Sequence, residues 1–116
     1  MLRKELIRKL RRHNYLLKSD KIDDEQKKLY TNLLKSEATK EEYSNSLQFL
    51  SECLELYHDE KVIILVDEYD VPLERAYFSG YYNDMVAVIR MLFHTALKTN
   101  NSLNFAVITG CLRGRV

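Results

Sequence analysis

Glycine and proline are scarce here, three and one among 116 residues, which fits a helix-rich globular chain and gives no sign of a flexible linker or low-complexity tract. The glycines are Gly80, Gly110 and Gly114, so nothing resembles the G-x-x-x-x-G-K-[ST] loop that cradles nucleotide phosphates. Cysteine is almost as rare. Cys53 and Cys111 lie far apart with no C-x-x-C spacing, which excludes a disulfide framework and predicts two reduced thiols packed as small hydrophobes. His13, His58 and His94 share no ligand spacing, so no histidine metal site is expected. The longest uninterrupted apolar run is reached at residues 62–66, against the roughly 20 residues that cross a bilayer, so no membrane segment is expected. Met1-Leu2-Arg3-Lys4-Glu5 lacks the apolar centre of a signal peptide, and the expected compartment is the cytoplasm. A formal net charge of +1 excludes a global field for nucleic acid or membranes and leaves only local patches.

What is present is 46% hydrophobic and 30% charged residues, enough for the core of one small domain. Leu2, Leu6, Leu10 and Leu17, with Ile7 and Leu16, recur at helical spacing, while Arg3, Lys4, Arg8, Lys9, Arg11 and Arg12 fill much of the remaining surface. This predicts an amphipathic basic helix over 2–17. A nucleic-acid or membrane contact is one use of it; an ordinary solvated face is the expected one, partly offset by the acidic stretch 20–25. Asp23 or Asp24 is placed to cap a second helix running to about Ser36. Thr39-Lys40-Glu41-Glu42 matches a capping box and opens a third, with Tyr43, Leu47, Leu50, Leu54 and Tyr57 on its apolar face, ending at 58–60.

Beyond residue 60 the pattern changes to strand (61–66), an irregular stretch around Pro72, a helix (80–98) and a second strand (103–109). Both strands are continuous apolar runs, which predicts burial on both faces, parallel pairing and a right-handed βαβ unit with the long helix against the sheet. The expected fold class is α/β, a helical N-terminal half (1–60) followed by a parallel βαβ unit (61–116). Two strands leave open edges and uncovered apolar surface, so the sheet reads as incomplete. The aromatic segment Tyr77-Phe78-Ser79-Gly80-Tyr81-Tyr82 is expected to pack where a loop enters the long helix, in preference to stacking bases.

The chemistry concentrates at the end of the first strand, where Val62-Ile63-Ile64-Leu65-Val66 delivers Asp67-Glu68 to the rim on which open α/β sheets bind ligands. This is the layout of a Walker B element. Asp67 would hold a magnesium-bound water, Glu68 would orient or deprotonate the water attacking a γ-phosphate, and Asp70 would support the site or cap the next turn. Thr109 ends the second strand, where a hydroxyl would sit beside the γ-phosphate. Arg113 and Arg115 follow; contact with phosphate charge is one use of either, with Arg113 the candidate site residue, and solvation is the commoner fate of both.

These residues, with Asp67-Glu68-Tyr69-Asp70-Val71-Pro72-Leu73 and Thr109-Gly110-Cys111-Leu112-Arg113 as the most specific strings, resemble the AAA-ATPase-like family over nearly the whole chain. The resemblance implies a P-loop ATPase with an extra strand between the phosphate-loop strand and the Walker B strand, often followed by a nuclease-like domain. By position it makes Asp67 the magnesium residue, Glu68 the catalytic glutamate and Thr109 the polar residue of the sensor strand; Arg113 falls in a further family motif. Magnesium and ATP are the implied cofactors, with Asp67 and Glu68 nearest the metal. The family's phosphate loop lies upstream of the matching region. The chain is therefore expected to be an internal fragment of an AAA-ATPase-like domain, inactive and without bound cofactor on its own.

Its expected partners are a second copy or an intact homologous ATPase, with nucleic acid reached only through the rest of the family architecture. An interaction module that pairs its open strand edges with another subunit is the alternative. Metal-dependent phosphodiester chemistry at Asp67, Glu68, Asp70 and Glu74 is the weakest reading, because no E-x-K strand motif accompanies the acids.

Overall fold

The computed structural model describes residues 2–110. It begins with α1 (Leu2–Arg12), whose Leu6 and Leu10 turn inward. The helix stops short of the expected residue 17. A His13 N–H to Leu10 O bond tightens the chain into a 3₁₀ turn (Asn14–Lys18) that buries Leu16 completely. Next comes α2 (Asp24–Leu34), which is capped by Asp23. The Gln26 N–H donates to Asp23 Oδ1 at 2.7 Å and the Asp23 N–H to Gln26 Oε1 at 2.9 Å, a reciprocal box.

Thr39 and Glu42 form the expected box at the start of α3 (Lys40–Ser44), with bonds of 3.1 and 2.8 Å. The single helix expected here is in fact two, because α3 breaks at Asn45 before α4 (Ser46–His58). Hydroxyl bonds flank the break. Ser44 Oγ donates to Lys40 O and Ser46 Oγ to Tyr43 O, and such local bonds compete with the helical ladder. Asp59 ends α4 in the left-handed region (φ 57°), its N–H donating to Glu55 O.

These elements enclose the core: Leu10, Leu16, Ile22, Tyr30, Leu33, Tyr43, Leu50 and Cys53. Its two tyrosines keep their polar tips satisfied, Tyr30 donating to Leu10 O and Tyr43 to Leu33 O at 2.7 Å. Burial pushes the Cys53 thiol up to about 12, with Glu52 and Asp23 adding to it, so this cysteine packs as the expected small hydrophobe. Cys111 lies outside the described residues.

The second half holds β1 (Val62–Val66), α5 (Val71–Ser79), α6 (Tyr82–Phe93), a single π-helical turn (His94–Lys98) and β2 (Leu103–Ile108). The two strands pair in parallel, with Ile63 opposite Phe105 and Val66 opposite Ile108. The α/β class, with a helical N-terminal half and a βαβ unit, is therefore the observed one. Four details differ from expectation. Residues around Pro72 are helical, since proline is tolerated in a first helical turn, where its missing N–H costs no intrahelical bond.

The long helix runs straight from α6 into the π-turn, but α6 packs chiefly on α5, with α3 beside it, and only the π-turn meets β2 and α4 closely. Tyr77 and Phe78, expected to pack, are 68% and 80% exposed, with the helix buried instead through Ala76.

Nor is the sheet buried on both faces. Ile64, Val66 and Ala106 are half-buried, on strands that meet α4 and the π-turn, whereas Ile63, Leu65, Phe105 and Val107 form an exposed row with Leu65 at 75%. Among the described residues no further strand covers either edge. No described helix is long and apolar enough to cross a membrane.

Candidate functional site

The parallel register places the C-terminal ends of both strands side by side, and the backbone ladder runs on past them. Thr109 N–H donates to Val66 O at 2.8 Å and Tyr69 N–H to Thr109 O at 3.1 Å, so the segment leaving β1 is held against the residue leaving β2. The side chains follow this frame. Thr109 Oγ1 lies 2.6 Å from Asp67 Oδ1, a hydroxyl-to-carboxylate distance typical of a charge-assisted bond in which the threonine donates. The same oxygen accepts from the Glu68 N–H at 3.2 Å. One hydroxyl thus fixes a carboxylate and the backbone of the next residue together.

Glu68 has φ 54°, in the left-handed region that a non-glycine residue enters at a cost of about 1–3 kcal/mol. The twist lets the chain leave the strand and enter α5 within a few residues, Glu68 O accepting from the Val71 N–H at 3.1 Å. Asp67, Glu68 and Thr109 are all exposed to solvent. Asp70 takes the N-cap position of α5 without capping through its side chain, and Glu74 stands in the first turn, half-buried. Among the described residues no three histidine, cysteine or acidic side chains converge on one metal position, so Asp67, Glu68, Asp70 and Glu74 do not form a four-carboxylate centre.

Tyr69 anchors the turn from the other side. Its ring lies 6.3 Å from that of Phe93 and lines an open, mostly apolar groove of about 590 Å³ with Leu73, Val86 and Ile89. It also lies against Gly110, where an added Cβ would come within 2.5 Å of Tyr69 Cε1. Gly110→Ala is therefore expected to push the ring away and cost about 1–3 kcal/mol in a thermal or urea melt. Because Tyr69 and Thr109 share a backbone bond, the shift reaches the Asp67 contact. Adding Tyr69→Ala should recover most of the Gly110→Ala loss if the clash is the cause. Sequence reasoning missed this contact, for which the only signal was a glycine directly after Thr109.

The histidines are less scattered than their spacing suggested. His13 Nδ1 and His58 Nε2 lie 3.2 and 3.0 Å from the Tyr15 hydroxyl, beside the Tyr57 ring. Burial, then Lys9, His58 and Arg12, lowers the His13 imidazole below its ordinary value. Arg113 and Arg115 lie outside the described residues.

A family model described as Predicted AAA-ATPase matches residues 3–114. The chain belongs to this AAA-ATPase-like family. Neither the curated proteins nor the solved structures give a match. The family span takes in the helical half as well as both strands, as the resemblance implied. In this AAA-ATPase-like chain Asp67 and Glu68 are adjacent in sequence, and Thr109 is brought to them by the parallel pairing.

Proposed function

We propose that this chain supplies the hydrolytic half of an ATPase site: Asp67 as the Walker B carboxylate, Glu68 as the residue that activates water, and Thr109 as the polar residue of the sensor strand. The observation that carries the proposal is the 2.6 Å contact between Thr109 Oγ1 and Asp67 Oδ1, which couples the ends of two strands 42 residues apart.

The donor set suits magnesium, a hard cation held through one or two carboxylates and otherwise by phosphate and water oxygens. When bound with ATP, the ion would neutralise developing phosphate charge. Asp67 would hold it through the oxygens left after the threonine bond, and Thr109 keeps that carboxylate in one orientation. Glu68, turned out of the strand by its left-handed backbone and exposed, is available to orient a water and take its proton. Arg113 is assigned to phosphate charge by the chemistry of its guanidinium alone.

No segment of the 116 residues matches a phosphate loop, and in the family layout the strand that carries it would pair with the open edge of β2. The isolated chain is therefore expected to show no ATP binding at micromolar nucleotide in isothermal calorimetry. Saturable magnesium-ATP binding that disappears in Asp67→Ala would sink the half-site assignment.

A second role is favoured by one specific observation, the exposed row Ile63, Leu65, Phe105 and Val107 beside open strand edges. Such a surface suits association with a second copy or an intact homologous ATPase.

A further inference from the structure

The net charge of +1 conceals a segregation. Through Lys18 the chain carries seven basic side chains and one acidic one, whereas the remainder carries eleven basic and sixteen acidic ones. A positive region is thus set against a negative body, an asymmetry that marks polyanion contact more often than a mixed surface does.

The fold concentrates this charge further. Lys4, Arg8, Arg11 and Arg12 are all exposed and with Ile7 line a shallow strip along α1. From Lys4 to Arg12 the strip covers about 12 Å of helix, against a duplex that presents a charge roughly every 1.7 Å of its axis. Arg3 is withdrawn from it, its guanidinium lying 4.5 Å from the centre of the Tyr43 ring. Glu5 pairs with Arg8 at 3.3 Å, but both side chains are more than half exposed, so the pair gives way easily to a stronger anion. Of the four acids that follow, Asp23 caps α2, and Asp24 and Glu25 stand in its first turn, where they offset that helix's own dipole, which leaves Asp20 as the one exposed acid outside the helix start.

Binding to a membrane surface needs a free apolar stripe beside the charges. Here that stripe is already used, Leu6 and Leu10 being buried and Ile7 packed on the core. What remains is an arginine-rich face, and guanidinium groups match phosphate oxygens in bidentate geometry.

We infer that the Lys4, Arg8, Arg11 and Arg12 face of α1 binds the phosphate backbone of nucleic acid, independently of base sequence. This face is separate from the strand ends and from the proposed ATPase chemistry. Fluorescence polarisation of a labelled 20-base-pair duplex with the full 116-residue chain tests it. At about 50 mM salt, saturable binding with a Kd on the order of 10⁻⁵ M is expected, falling steeply as salt rises.

The triple variant Arg8→Gln, Arg11→Gln, Arg12→Gln should weaken binding by about tenfold or more and lower the salt slope by roughly one for every phosphate it no longer neutralises. Glutamine keeps helix propensity, and far-ultraviolet circular dichroism should be unchanged. The corresponding triple lysine variant should keep most of the slope, and Lys27→Gln with Lys28→Gln on α2 should leave binding intact. Absence of saturable duplex binding, an equal loss in the α2 variant, or binding to phosphatidylserine vesicles with none to duplex would each overturn the inference.

Discussion

Glu68→Gln is expected to lower kcat by about 10²- to 10⁴-fold wherever the chain's strand ends form part of a site completed by a phosphate loop, with magnesium-ATP binding retained. The reason is the division of labour proposed for the end of β1. Glutamine keeps the size and the left-handed backbone of Glu68 but cannot take a proton, so the loss should fall on the chemical step. Asp67→Asn should behave differently, raising the magnesium requirement and the KM for ATP. It would also change the bond from Thr109, whose hydroxyl now donates to a carboxylate oxygen. Thr109→Val removes that bond without touching either carboxylate and should give an intermediate loss. Steady-state ATPase assays over a magnesium titration separate the three. An undiminished kcat in Glu68→Gln would remove Glu68 from the reaction.

Much of this site was legible because its signals are local. A β-branched run ending in two acids, and a second run ending in threonine, place Asp67 and Thr109 at strand ends by composition alone. Parallel pairing then made them neighbours. The left-handed backbone of Glu68 and the packing of Tyr69 on Gly110 were not legible, since both arise from how two segments remote in sequence meet.

The helical half shows the same division. Thr39 with Glu42, and Asp23 with Gln26, are capping pairs that sequence spacing reveals directly. The break at Asn45 was hidden, because the apolar spacing from Tyr43 to Tyr57 continues through it while the backbone of Asn45 leaves helical geometry. Pro72 misled in the opposite direction, being read as irregular where it sits in the first turn of α5. The strands were misread for a physical reason too. Continuous apolar composition states that both faces need cover, and among the described residues one face has it.

That distinction between needing cover and having it sets the second large effect. Leu33 is fully buried in the helical core, where truncation removes methyl groups and leaves a cavity between α2 and its neighbours. Leu33→Ala should cost about 2–5 kcal/mol in urea unfolding, a large share of the roughly 5–15 kcal/mol that holds a domain of this kind together. Leu65 is the same residue type on a strand, yet three-quarters exposed. In dilute, monomeric protein Leu65→Ala should change stability by less than about 0.5 kcal/mol. If the sheet face docks against another subunit, the small effect will grow with protein concentration, because partner binding stabilises the folded state by mass action. Repeating the melts across a hundredfold concentration range, with sedimentation to follow mass, separates the cases. A large, concentration-independent cost for Leu65→Ala would mean that its face is covered within a single chain, and the case for a docking role of the Ile63, Leu65, Phe105 and Val107 row would fall with it.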